Sequence, residues 1–250
     1  YRDATAFENS AWLPQTLRDC GMPVDILDGA RCRELEPALN DSIVGGYLNP
    51  DDAHLRPDRY AAALAQAVTA KGGEIRESTR VVGFRVDGDR VVSVSTSQGE
   101  FSGRDVVFAL GAWSPQLARP LELRIPIQPG KGYSITYTRP NRSPRIPLSL
   151  KERAVCVTAW NSGYRLGSTM EFAGYDESLN RTRLDALKRG AAEYLREPEG
   201  PQVVEEWYGW RPMTFDDLPI LGRSGRVQNL VLATGHGMLG VTMSAATGML

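Results

Sequence analysis

Residues 208–222 read YGWRPMTFDDLPILG, and residues 229–240 read NLVLATGHGMLG. The first stretch places one arginine, Arg211, in an apolar and aromatic run. The second stretch reads as a short buried strand, a glycine-rich turn and the start of a helix from Val241. Glycines let the chain turn sharply and leave backbone N–H groups uncovered. A helix that begins at such a turn is a site for negative charge.

Four shorter motifs accompany these two stretches. They read GGEI, ALGAWS, KGYS and GSTME, at residues 72–75, 109–114, 131–134 and 167–171. Together the motifs resemble the D-amino-acid oxidase-like flavoproteins, and within that family the small subunits of bacterial D-amino acid dehydrogenases most of all. Glycine and sarcosine oxidases are more distant members. The two C-terminal stretches carry the specific part of the resemblance, and the other motifs support it.

The resemblance implies an α/β fold, or α+β in a strict classification. An FAD-binding domain of the D-amino-acid oxidase type is interleaved with an antiparallel-sheet substrate domain. Residues 1–53 and 126–205 are expected in the substrate domain, and residues 54–125 and 206–250 in the FAD-binding domain. The family's first βαβ unit, with its own GxGxxG turn, is expected upstream of Tyr1. The chain as given is therefore expected to hold FAD poorly and to be inactive by itself.

Local patterns predict the individual elements. Periodicity and end signals predict helices over residues 12–19, 30–35, 57–71 and 179–195. Alternating or apolar runs predict strands over residues 81–87, 90–97, 105–110, 125–138 and 154–169. The alanine-rich helix at 57–71 is expected to pack closely in the core. Without the resemblance, the strands from residue 81 would indicate only an ordinary β-meander.

Charge and cysteine usage exclude several functional classes. The charge is balanced, with a net of −1, so nothing in the composition indicates nucleic-acid binding. Cys20, Cys32 and Cys156 form no CxxC pair, which favours a reducing, cytoplasmic location and argues against a disulfide framework or a metal site. No apolar stretch approaches the ~18 residues of a membrane span. Peripheral association of the full-length protein with the inner membrane is left open.

Arg211 is the main candidate for substrate binding. A planar guanidinium binds a carboxylate through two parallel hydrogen bonds. The residues alone favour a structural ion pair, with Asp216 or Asp217, over that role. The resemblance reverses this preference, because the arginine at this point of the family motif holds the substrate carboxylate. Sarcosine oxidases attach flavin through a cysteine at the position of Gly209, so a non-covalent FAD is expected here.

The turn after Arg211 departs from the family pattern. The motif usually continues Thr-Pro-Asp-Gly, whereas residues 214–217 read TFDD. Aspartate adopts the left-handed backbone conformation less readily than glycine does. The turn is therefore expected to differ in shape, and a turn role for Asp216 has weaker support.

Residues 235–240 match the letters of the GxGxxG dinucleotide pattern. The ten residues that follow are too few for the rest of a βαβ unit and for its acidic residue ~20 positions on. The resemblance instead places this loop beside the flavin ring, where a helix N-terminus favours the negative charge that develops on reduction. The implied flavin contacts are Gly235, His236, Gly237, Met238, Leu239 and Gly240. His236 is equally compatible with a role in fixing the loop.

Three further cofactor contacts are implied by the resemblance. Val81 would contact the adenine through its backbone. Ala109 and Gly111 would lie against the phosphate or ribose side of the cofactor. His54 is assigned no role.

The reaction implied by the resemblance is oxidative deamination of a D-amino acid. A hydride passes from Cα to flavin, and water hydrolyses the imino acid to a keto acid and ammonia. A quinone or another electron acceptor would then take the electrons. No side chain presents itself as a catalytic acid or base. Two alternatives stay open: a glycine- or sarcosine-type amine oxidase of the same fold, and a non-catalytic flavoprotein-like subunit or binding module.

Overall fold

The structure, a computed structural model, describes residues 1–250 as two compact units. Unit 1 contains Tyr1–His54, Gly132–Glu171 and Glu177–Gly209, and unit 2 contains Leu55–Lys131, Phe172–Asp176 and Trp210–Leu250. Each unit is therefore assembled from three separate stretches of chain. That unit 1 binds substrate and unit 2 binds FAD stays a prediction.

The helices include every one predicted from the sequence. They are α1 (Ala4–Asn9), α2 (Trp12–Asp19), α3 (Gly29–Leu35), α4 (Pro57–Ala70), α5 (Ser114–Ala118), α6 (Arg181–Ala192) and α7 (Gly240–Met249). None of them combines the length and the hydropathy needed to cross a bilayer.

The strands also follow the predicted pattern, with the run at 154–169 forming a hairpin. They are β1 (Asp25–Asp28), β2 (Gly45–Leu48), β3 (Val81–Asp87), β4 (Arg90–Thr96), β5 (Gly99–Phe101), β6 (Val106–Phe108), β7 (Gln128–Tyr137), β8 (Leu148–Leu150), β9 (Val155–Trp160), β10 (Gly163–Glu171), β11 (Val203–Met213), β12 (Ile220–Arg223) and β13 (Leu230–Thr234). The periodicity did not predict β1, β2, β5, β8, β11 or β12.

The strands form four sheets. A five-stranded sheet has the order β11-β7-β10-β9-β8, and β1 pairs with β2 in a separate two-stranded sheet. Two three-stranded sheets have the orders β12-β13-β6 and β3-β4-β5. In the first of these, β6 runs parallel to β13 and β12 runs antiparallel to it. Antiparallel pairs otherwise prevail, as the fold prediction required.

The core of unit 1 lies between helix α6 and the strands β7, β9 and β10. Leu184, Leu187 and Ala191 of α6 are almost completely buried, as their spacing predicted. The start of α6 is held by Glu171 at the end of β10, which accepts hydrogen bonds from the Tyr133 hydroxyl and from Asn180 Nδ2, the latter at 2.9 Å. The helix therefore has both an apolar and a polar attachment to the sheet.

The core of unit 2 joins its two three-stranded sheets. The side chain of Asn229 is buried just before β13. Its Oδ1 accepts the Val91 N–H at 2.9 Å, and its Nδ2 donates to the Val91 carbonyl at 2.9 Å. Val91 is the second residue of the meander strand β4, so one buried amide connects the meander to the sheet that carries the glycine turn. Phe108, Ala118, Leu121 and Leu230 complete the apolar cluster around it.

Helix α4 forms where it was predicted, but the expectation that it packs in the core is wrong. None of its residues is buried, and Leu64 and Val68 are 49% and 44% exposed. A hydrogen bond of 2.9 Å joins Tyr60 Oη to Ser244 Oγ of α7. The rest of the apolar face stays half-exposed because the other elements of the chain do not cover it.

Candidate functional site

Two strand-to-helix turns lie side by side in unit 2. Strand β6 leads through Ala109 and Leu110 into a 3-10 turn at Gly111–Trp113, and β13 leads directly into Gly235. The two strands are parallel, with Val106 opposite Leu230 and Phe108 opposite Leu232. Their carboxyl ends therefore meet at one edge of the sheet, where open α/β sheets bind ligands. Both turns use a left-handed glycine, with φ of 52° at Gly111 and 78° at Gly235.

Two buried hydroxyl groups tie these turns together. Ser114 Oγ lies 2.8 Å from Thr234 Oγ1, and Thr234 Oγ1 donates to the Gly111 carbonyl at 3.3 Å. Neither side chain is more than 1% exposed. The sequence interpretation did not identify this pair. The sequence pattern that could have predicted the pair is a serine or threonine close to the glycine at the end of each of two parallel strands.

Gly235 is required by both conformation and space. Its φ is positive, and a Cβ there would lie 2.9 Å from Thr214 Cγ2 and 3.4 Å from the Ile220 nitrogen. Thr214 and Ile220 belong to the chain that follows Arg211. The glycine therefore lets the loop at 235–240 approach that chain more closely than any other residue would.

The expectation of uncovered N–H groups through this loop is wrong at Gly237. Its N–H donates to the Pro212 carbonyl at 3.1 Å. The beginning of α7 does fit the expectation, because the helix starts at Gly240 and no side chain caps it. Met238 and Leu239, just before it, are 64% and 50% exposed. The loop thus presents a positive helix end beside an accessible apolar surface.

His236 makes a contact within unit 2. Its Nε2 lies 3.0 Å from Thr247 Oγ1, two turns into α7. This hydrogen bond fixes the loop to the helix that follows, which supports the loop-fixing interpretation. A direct contact with flavin stays a prediction for this residue.

Arg211 lies on β11, two residues before its end, and is partly buried. Alternation along a strand places Met213 on the same face and Trp210 on the opposite face. The Trp210 ring packs edge-on against Trp113, with ring centroids 5.5 Å apart. Pro212, the residue after Arg211, accepts the hydrogen bond from Gly237. The structure therefore brings the end of β11 against the glycine loop.

The turn after Arg211 contains a left-handed residue although it has no glycine. Asp217 adopts φ of 57°. Asp216 Oδ1 accepts the Leu218 N–H at 3.2 Å, and Thr214 Oγ1 donates to the Leu218 carbonyl at 2.9 Å. Aspartate side chains stabilise turns through such local bonds. Asp216 therefore has a turn role, and Asp217 occupies the position at which the motif has glycine.

Two other residues predicted to contact FAD, Ala109 and Val81, lie at different sheets of unit 2. Ala109 is exposed at the end of β6, beside the Gly111 turn. Val81 begins β3, opposite Thr96, and so belongs to the separate meander sheet. The structure thus brings together Gly111, the loop at 235–240 and the Arg211 end of β11, with Val81 in another sheet of the same unit.

Unit 1 contains a cleft of about 610 Å³ that the sequence did not predict. Its walls come mainly from apolar side chains of α2, β1, α3, β2 and β8, among them Leu17, Leu27, Leu48 and Leu148. Asn49 Oδ1 is buried and has no hydrogen-bond partner, and Asn49 lines this cleft. A mostly apolar cavity with a few polar groups is typical of small-molecule sites.

The sequence profile of the FAD dependent oxidoreductase family, abbreviated DAO, matches residues 2–250. The chain belongs to the DAO family. A curated D-amino acid dehydrogenase from Paramagnetospirillum magneticum is 35% identical over 253 residues, which cover 99% of this chain and 60% of that protein. One from Sinorhizobium medicae is 36% identical, covering 98% of this chain and 58% of that protein. The chain spans about 60% of the length of these relatives.

Solved structures confirm the DAO-type fold. Glycine oxidase from Bacillus cereus superposes with a TM-score of 0.91 at 24% identity, covering 99% of this chain and 68% of that chain. Glycine oxidase from Geobacillus kaustophilus superposes with a TM-score of 0.88 at 26% identity, covering 99% of this chain and 67% of that chain. L-proline dehydrogenase from P. horikoshii superposes with a TM-score of 0.88 at 20% identity, covering 99% of this chain and 68% of that chain. The predicted mixed α/β architecture with antiparallel sheets is thus correct.

The residues of this DAO-family site fit the FAD that the family requires. Gly111 has open space where a side chain would stand, since nothing lies within 4 Å of a Cβ built there. The uncapped start of α7 provides backbone donors and a positive dipole end. The half-exposed side chains of Trp113, Met238 and Leu239 offer apolar surface to a planar ring. Which of these groups touches which part of FAD stays a prediction.

Proposed function

We propose that this DAO-family oxidoreductase catalyses the oxidative deamination of D-amino acids with non-covalent FAD. The observation that carries the proposal is the hydrogen bond of 3.1 Å from the Gly237 N–H to the Pro212 carbonyl. It holds the residue next to Arg211 against the loop that precedes the uncapped helix α7. A cationic group for a substrate carboxylate thereby lies on the strand end that packs against the candidate flavin loop. The similarity to D-amino acid dehydrogenases supports the choice of substrate.

Each group has a defined task in this proposal. The Arg211 guanidinium binds the substrate carboxylate through two hydrogen bonds and so orients the Cα–H bond. FAD, when bound, supplies the acceptor for the hydride of that bond. The positive end of α7 stabilises negative charge beside the loop at 235–240. Gly209 has no side chain that could bond to flavin, which supports a non-covalent cofactor. Water completes the reaction by hydrolysing the released imino acid.

A substrate panel tests this function. The full-length, FAD-loaded protein is assayed with D-amino acids, their L-enantiomers, glycine and sarcosine, each with oxygen and with a quinone analogue as acceptor. We expect turnover of D-amino acids with the quinone analogue. Turnover confined to glycine or sarcosine with oxygen would identify an amine oxidase instead. Absence of bound FAD and of all turnover would indicate a non-catalytic flavoprotein-like subunit.

A further inference from the structure

The five residues Phe172–Asp176 form an unusual connection. They link β10 to α6, and both of those elements belong to unit 1, yet residues 172–176 are grouped with unit 2. A connection of ordinary surface type makes few contacts with the chain around it. This connecting segment makes several, and they converge on the candidate site.

The first contact is a hydrogen bond to the glycine turn after β6. Tyr175 Oη donates to the Ala112 carbonyl at 2.7 Å. Ala112 is 1% exposed and follows Gly111 directly. The hydroxyl thus holds the turn directly after Gly111.

The second contact is aromatic. The Tyr175 ring packs on Trp210 with centroids 5.8 Å apart and planes at 65°, and Trp210 packs in turn on Trp113. Aromatic pairs at such angles attract each other beyond the effect of their burial. Trp210 precedes Arg211, and Trp113 belongs to the Gly111 turn. The three rings therefore connect the two parts of the site on the side of β11 opposite to Arg211.

The third contact fixes the end of the connecting segment. Lys131 Nζ donates to Asp176 Oδ2 at 2.7 Å, and Lys131 is 0% exposed. A buried ammonium is held firmly in place by a charged partner, because loss of that partner leaves an uncompensated charge. Asp176 is the neighbour of Tyr175, so this ion pair restricts where the Tyr175 side chain can lie.

We propose that Tyr175 is a positioning residue, which holds the Gly111 turn and the Arg211 end of β11 in the geometry that FAD and the substrate require. It acts through Ala112 and Trp210 and touches neither ligand. This inference rests on the proposed function for its substrate component, and on the family's cofactor for its FAD component.

The test is Tyr175→Phe, which removes the hydroxyl and keeps the ring. Tyr164→Phe is the matched control, because Tyr164 is 0% exposed and its hydroxyl donates to the Pro198 carbonyl at 3.0 Å in unit 1. Both variants lose one hydrogen bond from a tyrosine to a main-chain carbonyl. In the full-length protein, we expect Tyr175→Phe to raise the FAD dissociation constant about fivefold, the effect of one hydrogen bond, while Tyr164→Phe leaves it unchanged.

Two further readouts separate positioning from stability. The tryptophan bands of the near-ultraviolet circular dichroism of the FAD-free protein should change in Tyr175→Phe and stay unchanged in Tyr164→Phe, because the Tyr175 ring packs on Trp210 whereas the Tyr164 ring packs on Tyr137. Tyr175→Leu also removes the ring contact, and it should raise KM for a D-amino acid further while changing kcat less. Thermal unfolding of Tyr164→Phe shows how much a purely structural loss lowers Tm.

The proposal is overturned if Tyr175→Phe and Tyr164→Phe bind FAD equally well and differ from the wild type in Tm alone. Failure of the proposed function gives a different result. If the wild type binds FAD but oxidises no D-amino acid, the substrate assignment is wrong, and the FAD dissociation constants still decide the role of Tyr175.

Discussion

The guanidinium of Arg211 is expected to bind the substrate carboxylate through two charge-assisted hydrogen bonds. Loss of that contact in Arg211→Ala should weaken substrate binding by about 2–4 kcal/mol, which is roughly a 30- to 1000-fold rise in KM. Arg211→Lys should recover only part of the lost substrate binding, because an ammonium lacks the planar pair of donors that a guanidinium has. FAD affinity should stay normal, since the arginine contacts the substrate. Steady-state kinetics with a D-amino acid measure the effect.

Arg223 provides the control for this substitution. It lies on β12 in the same unit, is exposed, and pairs with Asp105 at 3.1 Å. An exposed ion pair contributes about 0–1 kcal/mol to stability, so Arg223→Ala should leave KM unchanged. If Arg211→Ala kept the wild-type KM as well, Arg211 would have a structural role instead.

Gly235 is expected to tolerate no side chain. Gly235→Ala combines a left-handed backbone with a Cβ only 2.9 Å from Thr214 Cγ2. The strain should lower the free energy of unfolding by about 1–3 kcal/mol. Gly225→Ala is the control, because nothing lies within 4 Å of its Cβ position and its φ is ordinary for any residue. Urea unfolding compares them, and equal stabilities would contradict the close approach of the loop to Thr214.

Helices α4 and α6 have similar apolar patterns but different surroundings. Leu187 of α6 is 1% exposed, whereas Leu64 of α4 is 49% exposed. Leu187→Ala should therefore cost about 2–5 kcal/mol of unfolding free energy, through lost burial and a cavity. Leu64→Ala should change it by less than about 1 kcal/mol in the 250-residue chain. A large effect at Leu64 would show that another surface covers α4.

The same two helices show what the sequence can predict. Periodicity and end signals depend on neighbouring residues, so they predicted α6, α4 and the strand that leads into Gly235. The burial of a helix face depends on which other elements pack against it, and the sequence of α4 does not specify those elements. Contacts between distant residues were equally invisible. Ser114 and Thr234 are 120 positions apart, and Ala112 and Tyr175 are 63 apart.

The sequence likewise predicted some features of the candidate site and not others. The glycine pattern predicted where the backbone turns, because positive φ is encoded by the glycines themselves. It did not predict that Pro212 takes the Gly237 N–H, since that bond depends on where β11 ends in space. The role of Arg211 came from the family resemblance, because an arginine in an apolar run is by itself compatible with an ordinary ion pair.

The stability of the whole molecule should depend on pH through Glu152. Its carboxylate accepts the Arg2 N–H at 2.7 Å, the Asp3 N–H at 3.1 Å and the Tyr194 hydroxyl. Burial raises the pKa of Glu152, but these hydrogen bonds outweigh burial and lower it from 4.5 to about 2. A lowered folded-state pKa stabilises the protein above the unfolded value, and this stabilisation is lost as the pH falls toward the folded value.

Thermal unfolding from pH 4.5 down to about 2 measures this contribution. The Tm of the wild type should fall progressively as the pH is lowered across that interval. In Glu152→Gln the same loss should be smaller, because the side chain at this position no longer takes up a proton. An identical slope in both proteins would place the acid sensitivity elsewhere in the molecule.

The central claim is that substrate electrons pass to FAD from a D-amino acid held by Arg211. Anaerobic mixing of the full-length, FAD-loaded protein with single amino acids tests it directly, because no electron acceptor other than FAD is present. We predict that a D-amino acid bleaches the visible flavin absorption, that its L-enantiomer does not, and that Arg211→Ala needs roughly 30- to 1000-fold more substrate for the same bleaching. Equal bleaching by both enantiomers, or none with any D-amino acid, would contradict the claim.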